Sequence, residues 1–307
     1  MVPRNAWLSL RRGASVAGLA AIASAQDLEP RRWTHLPLGT NVLGVGYVFT
    51  EGDISFDPVL RIEQAGVELH TLLFSYTRYF DLAGTTARID AFVPVQSGEW
   101  TGQLDGTPAR VEREGLADPV LRFSTNLLGA PALDGREFAE FQRANPVTTA
   151  VGAGLEVRLP FGEYMDDKLI NLGQNRFVVT PQLGVLHREE QWSFELTGST
   201  FFYTENHDFF GGNNLEQDPL FAVQTHVVRV FDGGFWVSLG AAYGWGGEST
   251  INGVEKDDEK RNVLYGGSFG FRLAETQSVR FAYARTDSHA DTGSDTNSFL
   301  ISWAIRF

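Results

Sequence analysis

Cysteine is absent from the 307-residue chain. Disulfides, thiolate catalysis and cysteine-ligated metals are excluded together. Also missing is any run of the roughly 18 consecutive apolar residues that a spanning helix needs. That removes helical membrane proteins but not β-barrels, in which only every second residue of a strand must be apolar. Positive charge is scarce: 25 Lys and Arg stand against 38 Asp and Glu, a net charge of −13. There is no basic footprint, and nucleic acid is not expected as a partner. The 6 histidines are scattered, with no His-Glu-x-x-His pattern, so neither a metal nor another cofactor is expected. Phenylalanine (23) and glycine (33) are plentiful, as suits many strands joined by tight turns.

The start of the chain reads as a secretory signal over residues 1–25. Arg4, Arg11 and Arg12 supply its positive region, an apolar stretch follows from Ala14 to Ala23, and Ala23-Ser24-Ala25 is a small-x-small cleavage site. The mature chain is expected to begin at Gln26. Losing three arginines and no acid moves the net charge from −13 to −16. Residues 26–39 are expected to form a periplasmic N-terminal segment, and residues 40–307 an outer-membrane barrel.

From Thr40 onward, stretches of period-two alternation recur, about twelve of them. Their spans are 40–49, 67–80, 87–96, 119–128, 147–160, 176–187, 192–203, 220–231, 235–246, 261–273, 279–286 and 297–307. The connections alternate between long and short, the mark of outer-membrane barrels with long outer loops and short periplasmic turns. One link breaks the rule. Residues 129–146 should be a short turn, yet Asp134 and Glu137 resemble a capping box, and Phe138 and Phe141 share one helical face. A short periplasmic helix at the barrel mouth is expected. The fold class is therefore all-β: a transmembrane antiparallel barrel of about twelve strands with one helix.

Two features separate a membrane barrel from a soluble one. In the last strand Phe299, Ile301, Trp303, Ile305 and Phe307 alternate on one face. This resembles the assembly signal of outer-membrane proteins and implies the barrel-assembly machinery as a partner, alongside outer-membrane lipid and lipopolysaccharide. Aromatics also gather beside the short turns: Tyr79, Phe80, Trp192, Phe231, Phe235 and Trp236. Charges facing lipid near the midplane are costly, so parity sends them inward. The lumen-lining candidates are Arg88, Asp90, Glu156, Arg158 and Gln182, followed by Glu195, Gln224, His226, Arg272 and Arg280. Arg78 and Arg229 have ambiguous parity.

The sequence resembles the outer-membrane proteins labelled "putative MetA-pathway of phenol degradation". The resemblance is carried by PLGTNVLGVGYVFTEGDISFDPVL from Pro37, LLGAPAL from Leu127, KLINLGQNRF from Lys168, FFGGNNLEQDPL from Phe209 and INGVEKDD from Ile251. It implies an outer-membrane channel for small organic solutes, aromatic compounds among them, linked to aromatic catabolism. It brings no catalytic or substrate residues. A structural or adhesive barrel with a closed lumen is the alternative, and an outer-membrane hydrolase a third. For the last, Asp287-x-His289 is the one suggestive pair. Asp166-Asp167 are consecutive, so they would point to opposite faces if extended, and no serine stands two residues after a histidine. No catalytic residue is expected. The acid-rich outer loops, with Asp53, Asp57, Asp208, Glu216, Asp218, Asp257, Asp258 and Glu259, are expected to be solvated, with divalent-cation binding as the sharper reading.

Overall fold

The computed structural model describes residues 28–56 and 60–307. The expected signal segment and cleavage site lie outside them. Twelve antiparallel strands close into a barrel: β1 (Asn41–Ser55), β2 (Ile62–Leu82), β3 (Thr85–Leu104), β5 (Val120–Leu128), β6 (Val147–Arg158) and β7 (Val178–Glu189) make one half. The other half is β8 (Trp192–Tyr203), β11 (Leu220–Val230), β12 (Trp236–Gly246), β15 (Lys260–Arg272), β16 (Gln277–Ser288) and β17 (Gly293–Arg306). Neighbours follow in chain order, and β1 meets β17 in a register that runs from Val42 opposite Arg306 to Ser55 opposite Gly293. Beyond Arg306, Phe307 exchanges both backbone hydrogen bonds with Asn41 (2.9 and 3.0 Å). No barrel strand is left with an open edge, as hydrocarbon demands of a spanning sheet.

Alternation does the rest. Leu239 is 72% exposed on the outer face of β12, while its neighbour Ser238 is buried inside and bonded to Ser268 (2.7 Å). Phe299, Ile301 and Trp303 likewise point outward, between part-exposed inner residues Leu300 and Ser302. The parity of Arg78 and Arg229 is outward. Arg229 lies at the periplasmic end, its guanidinium over the rings of Trp192 (5.0 Å) and Phe231 (4.7 Å), a cation–π arrangement suited to the headgroup level. Two of the expected belt aromatics are inside instead. Tyr79 is buried beneath Arg88, and Trp236 faces in, under Arg31 at 5.5 Å. Both stand beside short turns, but on the lumen phase of their strands.

The helix α1 spans Gly135–Ala144 at the short-turn end, and the Asp134 side chain caps the N–H groups of Arg136 and Glu137. Several expected loops are partly strand. β4 (Thr107–Leu116) returns along the outer half of β3, through a turn in which Asp105 (φ 50°) and Gly106 (φ 73°) are both left-handed. That is the Asp-Gly hairpin turn. It lets the pair continue past the membrane, so β2 and β3 run well beyond the spans read from alternation. Above the mouth, β9 (Asn206–Phe209), β10 (Asn213–Gln217), β13 (Ser249–Ile251) and β14 (Val254–Glu255) form a small four-stranded sheet. Leu60, Phe209, Leu215 and Ile251 make its core, and Leu169 joins that core to another around Ile54, Val67 and Trp100. The outer loops are thus one packed cap. Asp258, expected in solvent, is buried in it, paired with Lys260 (3.0 Å) and accepting from the Ser249 N–H. Asp57 lies outside the described residues.

Replacing Ile301 by Arg places a cation in hydrocarbon and should cost about 2–4 kcal/mol. The neighbouring Ser302→Arg, facing water in the lumen, should cost far less. Urea titration of the barrel refolded in lipid vesicles checks the contrast.

Candidate functional site

The inner face of the barrel is polar, and a segment of the chain lies in it. Residues 28–39 precede β1 and form a strap inside the periplasmic half. It is tied where it meets the barrel: the Leu38 N–H donates to Leu133 O (2.8 Å) and Gly39 N–H to Tyr79 O (3.1 Å). At its tip a turn aims the Arg31 and Arg32 N–H groups at the Glu195 carboxylate (3.0 and 3.3 Å). Between these ties sits Trp33, 2% exposed, its Nε1–H donating to Thr197 Oγ1 (2.8 Å).

Trp33 fits because two glycines make room. Gly152 and Gly184 are cross-strand partners on β6 and β7. A Cβ on Gly184 would lie 2.0 Å from Trp33 Nε1, and one on Gly152 2.2 Å from the ring. The indole therefore lies directly on bare backbone. This is the close-approach use of glycine, which gives up strand propensity for contact.

Around the strap runs a charge network. Asp90, 1% exposed, accepts from Thr77 Oγ1 (2.6 Å), Arg88 Nε (2.8 Å) and Arg122 Nε (3.0 Å). Arg122 reaches on to Glu29 of the strap at 2.6 and 3.3 Å. Arg32 completes the link, donating to Gln182 (3.0 Å) and lying 3.5 Å from Glu29. Buried pairs of this kind add little net stability over an apolar filling, but losing one partner strands the other charge at several kcal/mol. The network thus fixes where the strap sits more than it strengthens the barrel.

The sequence-derived lumen candidates fall as follows. Arg88, Asp90, Gln182 and Glu195 touch the strap or its network. Gln224 and His226 are buried on the inner face of β11, beyond it. Glu156 and Arg158 face inward near the outer end of β6, and Arg280 faces inward on β16. Arg272 has inward parity but stands exposed at the periplasmic rim, its guanidinium near Gly234. Arg122, Glu29, Arg32 and Trp33 are site residues the candidate set lacks. Arg122 was open to parity, since Leu121 and Phe123 on either side face lipid. Asp287, of the Asp–His pair, has outward parity and is held by Arg285 (2.7 Å). Among the described residues, no group of three or more His, Asp or Glu is arranged to hold a metal ion.

A closed barrel, apolar outside and polar within, with short turns at one end and a packed cap at the other, defines an outer-membrane β-barrel protein. The particular family follows from the sequence. The model of the family described as "Putative MetA-pathway of phenol degradation" matches residues 62–302, and the chain belongs to that family. Among solved structures, an outer membrane channel from Pseudomonas putida F1 is similar at a TM-score of 0.75 and 19% identity, over 92% of this chain and 100% of that one. The β domain of the Bordetella autotransporter BrkA gives a TM-score of 0.47 at 11% identity, over 88% and 100%. No curated protein matches the sequence.

Two outcomes are expected here. Gly184→Ala should expel Trp33 and leave the barrel folded. Trypsin should then cut at Arg31 or Arg32, which the parent protects, while folded migration on unheated gels persists. The second concerns His35, whose Nε2–H meets Pro131 O (2.8 Å) and whose ring meets Phe138 and Phe141 of α1 edge-on (4.8 and 5.6 Å). Burial lowers the His35 pKa below its ordinary value, the Pro131 carbonyl opposing this and Arg188 adding to it. The undocked imidazole therefore takes up a proton first. Docking of α1 should be intact above about pH 6.5 and weaken as the pH falls below it. Hydrogen exchange of the α1 amides against pH measures this, and His35→Phe should flatten the dependence.

Proposed function

We propose that the protein is a channel for small organic solutes, and the phenol degradation named in the family's description supports aromatic compounds among them. The observation that carries this reading is the polar inner face, obstructed over its periplasmic half by a strap held through a handful of hydrogen bonds and one indole. A twelve-stranded wall lies between the eight strands that side chains fill and the roughly 16–18 of an open porin. With the strap seated, the bore is narrow, as selective passage requires. The Asp287–His289 pair does not support a hydrolase reading, since Asp287 is engaged by Arg285 on the outer face. Residues 1–25 direct export, the barrel-assembly machinery reads the outward aromatic face of β17, and lipopolysaccharide surrounds the outer end of the wall.

Purified protein in planar bilayers should conduct in small steps. Deleting residues 28–36 should raise single-channel conductance several-fold without loss of folded migration. Large porin-like steps from the unmodified protein, or a deletion that conducts no differently, would refute the strap as the obstruction.

A further inference from the structure

The inner wall is not evenly covered. On β7 the inward residues Val178, Thr180, Gln182, Gly184 and Leu186 are all buried, and on β11 every inward residue from Leu220 to Val228 is buried. The strap and its network lie against this side. Across the barrel the pattern inverts. On β16 none of the inward residues from Ser278 to Ser288 is buried. On β17 Ser298, Leu300, Ser302 and Ala304 are part-exposed and Thr296 is buried; on β1 Gly44 and Val48 are part-exposed, Gly46 is buried, and Ile54 is buried in the cap. Solvent therefore reaches more of this wall of the lumen than of the β7 and β11 wall.

That wall is also the smooth one. Ala282, Ala284, Ser302, Ala304, Gly44 and Ser75 leave room where large side chains would fill it. Its charges have one sign. Between the turns, no carboxylate has inward parity on β16 or β17, whereas Arg306 does, and Arg272 on β15 stands beside it at the periplasmic rim. The excess acid of the chain lies elsewhere, in the outer loops and in the network on the strap. At the outer end, the loop between β16 and β17 is only residues 289–292, while β1 to β3 rise into the packed cap. The lowest part of the rim stands over the uncovered wall.

We infer that solutes cross along this β16–β17–β1 wall with the strap in place, entering over the short β16–β17 loop and leaving past Arg306 and Arg272, and that the track favours neutral and anionic small molecules over cations despite the chain's negative net charge. The inference rests on the channel reading and adds to it a path and a charge preference.

The natural chain has no cysteine, so single cysteines report directly. Ala284→Cys on the track and Thr180→Cys on the covered wall are compared in proteoliposomes. The probes are two methanethiosulfonates of similar size, one carrying a sulfonate and one a trimethylammonium group, with rates normalised to a free thiol. Ala284→Cys should react at least tenfold faster than Thr180→Cys, and the sulfonate should be favoured at Ala284→Cys by several-fold. Adding Arg272→Gln and Arg306→Gln together should bring that preference toward unity while the site stays reactive. Equal rates at the two positions, or faster reaction at Thr180→Cys, would overturn the path. A preference for the cationic reagent would overturn the charge assignment. Current through the same preparations keeps the two readings apart: labelling as stated with no conductance refutes the channel alone, and conductance with labelling reversed refutes the track alone.

Discussion

Lipid offers a backbone no hydrogen-bond partner, and this one constraint organises the molecule. The N–H and C=O groups of the wall must find each other, so β1 has to meet β17, and Phe307 has to complete the seam with Asn41. Once the ladder is closed, the pleat divides every strand between two solvents. Leu239 and Ile301 can face only lipid, and Asp90 and Arg122 can face only the interior. What looks like a choice of lumen chemistry is first a consequence of where charge is tolerated.

An interior of this width is too wide to be filled by wall side chains and too narrow for a broad aqueous pore. The strap resolves the difference on one side only. Trp33 lies on the paired glycines Gly152 and Gly184, and Glu29 closes a circuit with Arg88, Arg122 and Asp90. Each of these charges has more than one partner, and Glu29 of the strap meets Arg122, Arg88 and Arg32 together, so the network fixes one seat for the strap. The indole supplies apolar contact and the ions supply register. The helix α1 then closes the near end, with His35 as the bridge between strap and helix.

Much of this was legible in the sequence because hydrocarbon imposes a strict period. The twelve strands, the side assignment of the short turns, the helix capped by Asp134 and the outward face of the last strand all follow from alternation and local turn chemistry. Two things did not. Closeness to a short turn suggests a belt position for Tyr79 and Trp236, but the phase of their own strands places both in the lumen. Contacts across the barrel were not visible either. Gly152 and Gly184 read as ordinary strand glycines until Trp33, more than a hundred residues earlier, is seen against them. The cap had a partial signal, since the Asp105-Gly106 and Asn252-Gly253 pairs mark hairpins that a reading tuned to membrane-length strands passed over.

In the membrane-inserted protein the strap must be seated in the lumen. Cysteines replacing Thr34 of the strap and Ser124 of β5, which line one small cavity, would test this in native outer membranes. A short bifunctional maleimide should join them within one chain and shift the mobility of the unfolded band, whereas Thr34→Cys with Leu239→Cys should give no such product. Efficient joining of the first pair is the predicted result. Its absence in protein shown to be folded and inserted would place residues 28–39 outside the barrel and contradict the account.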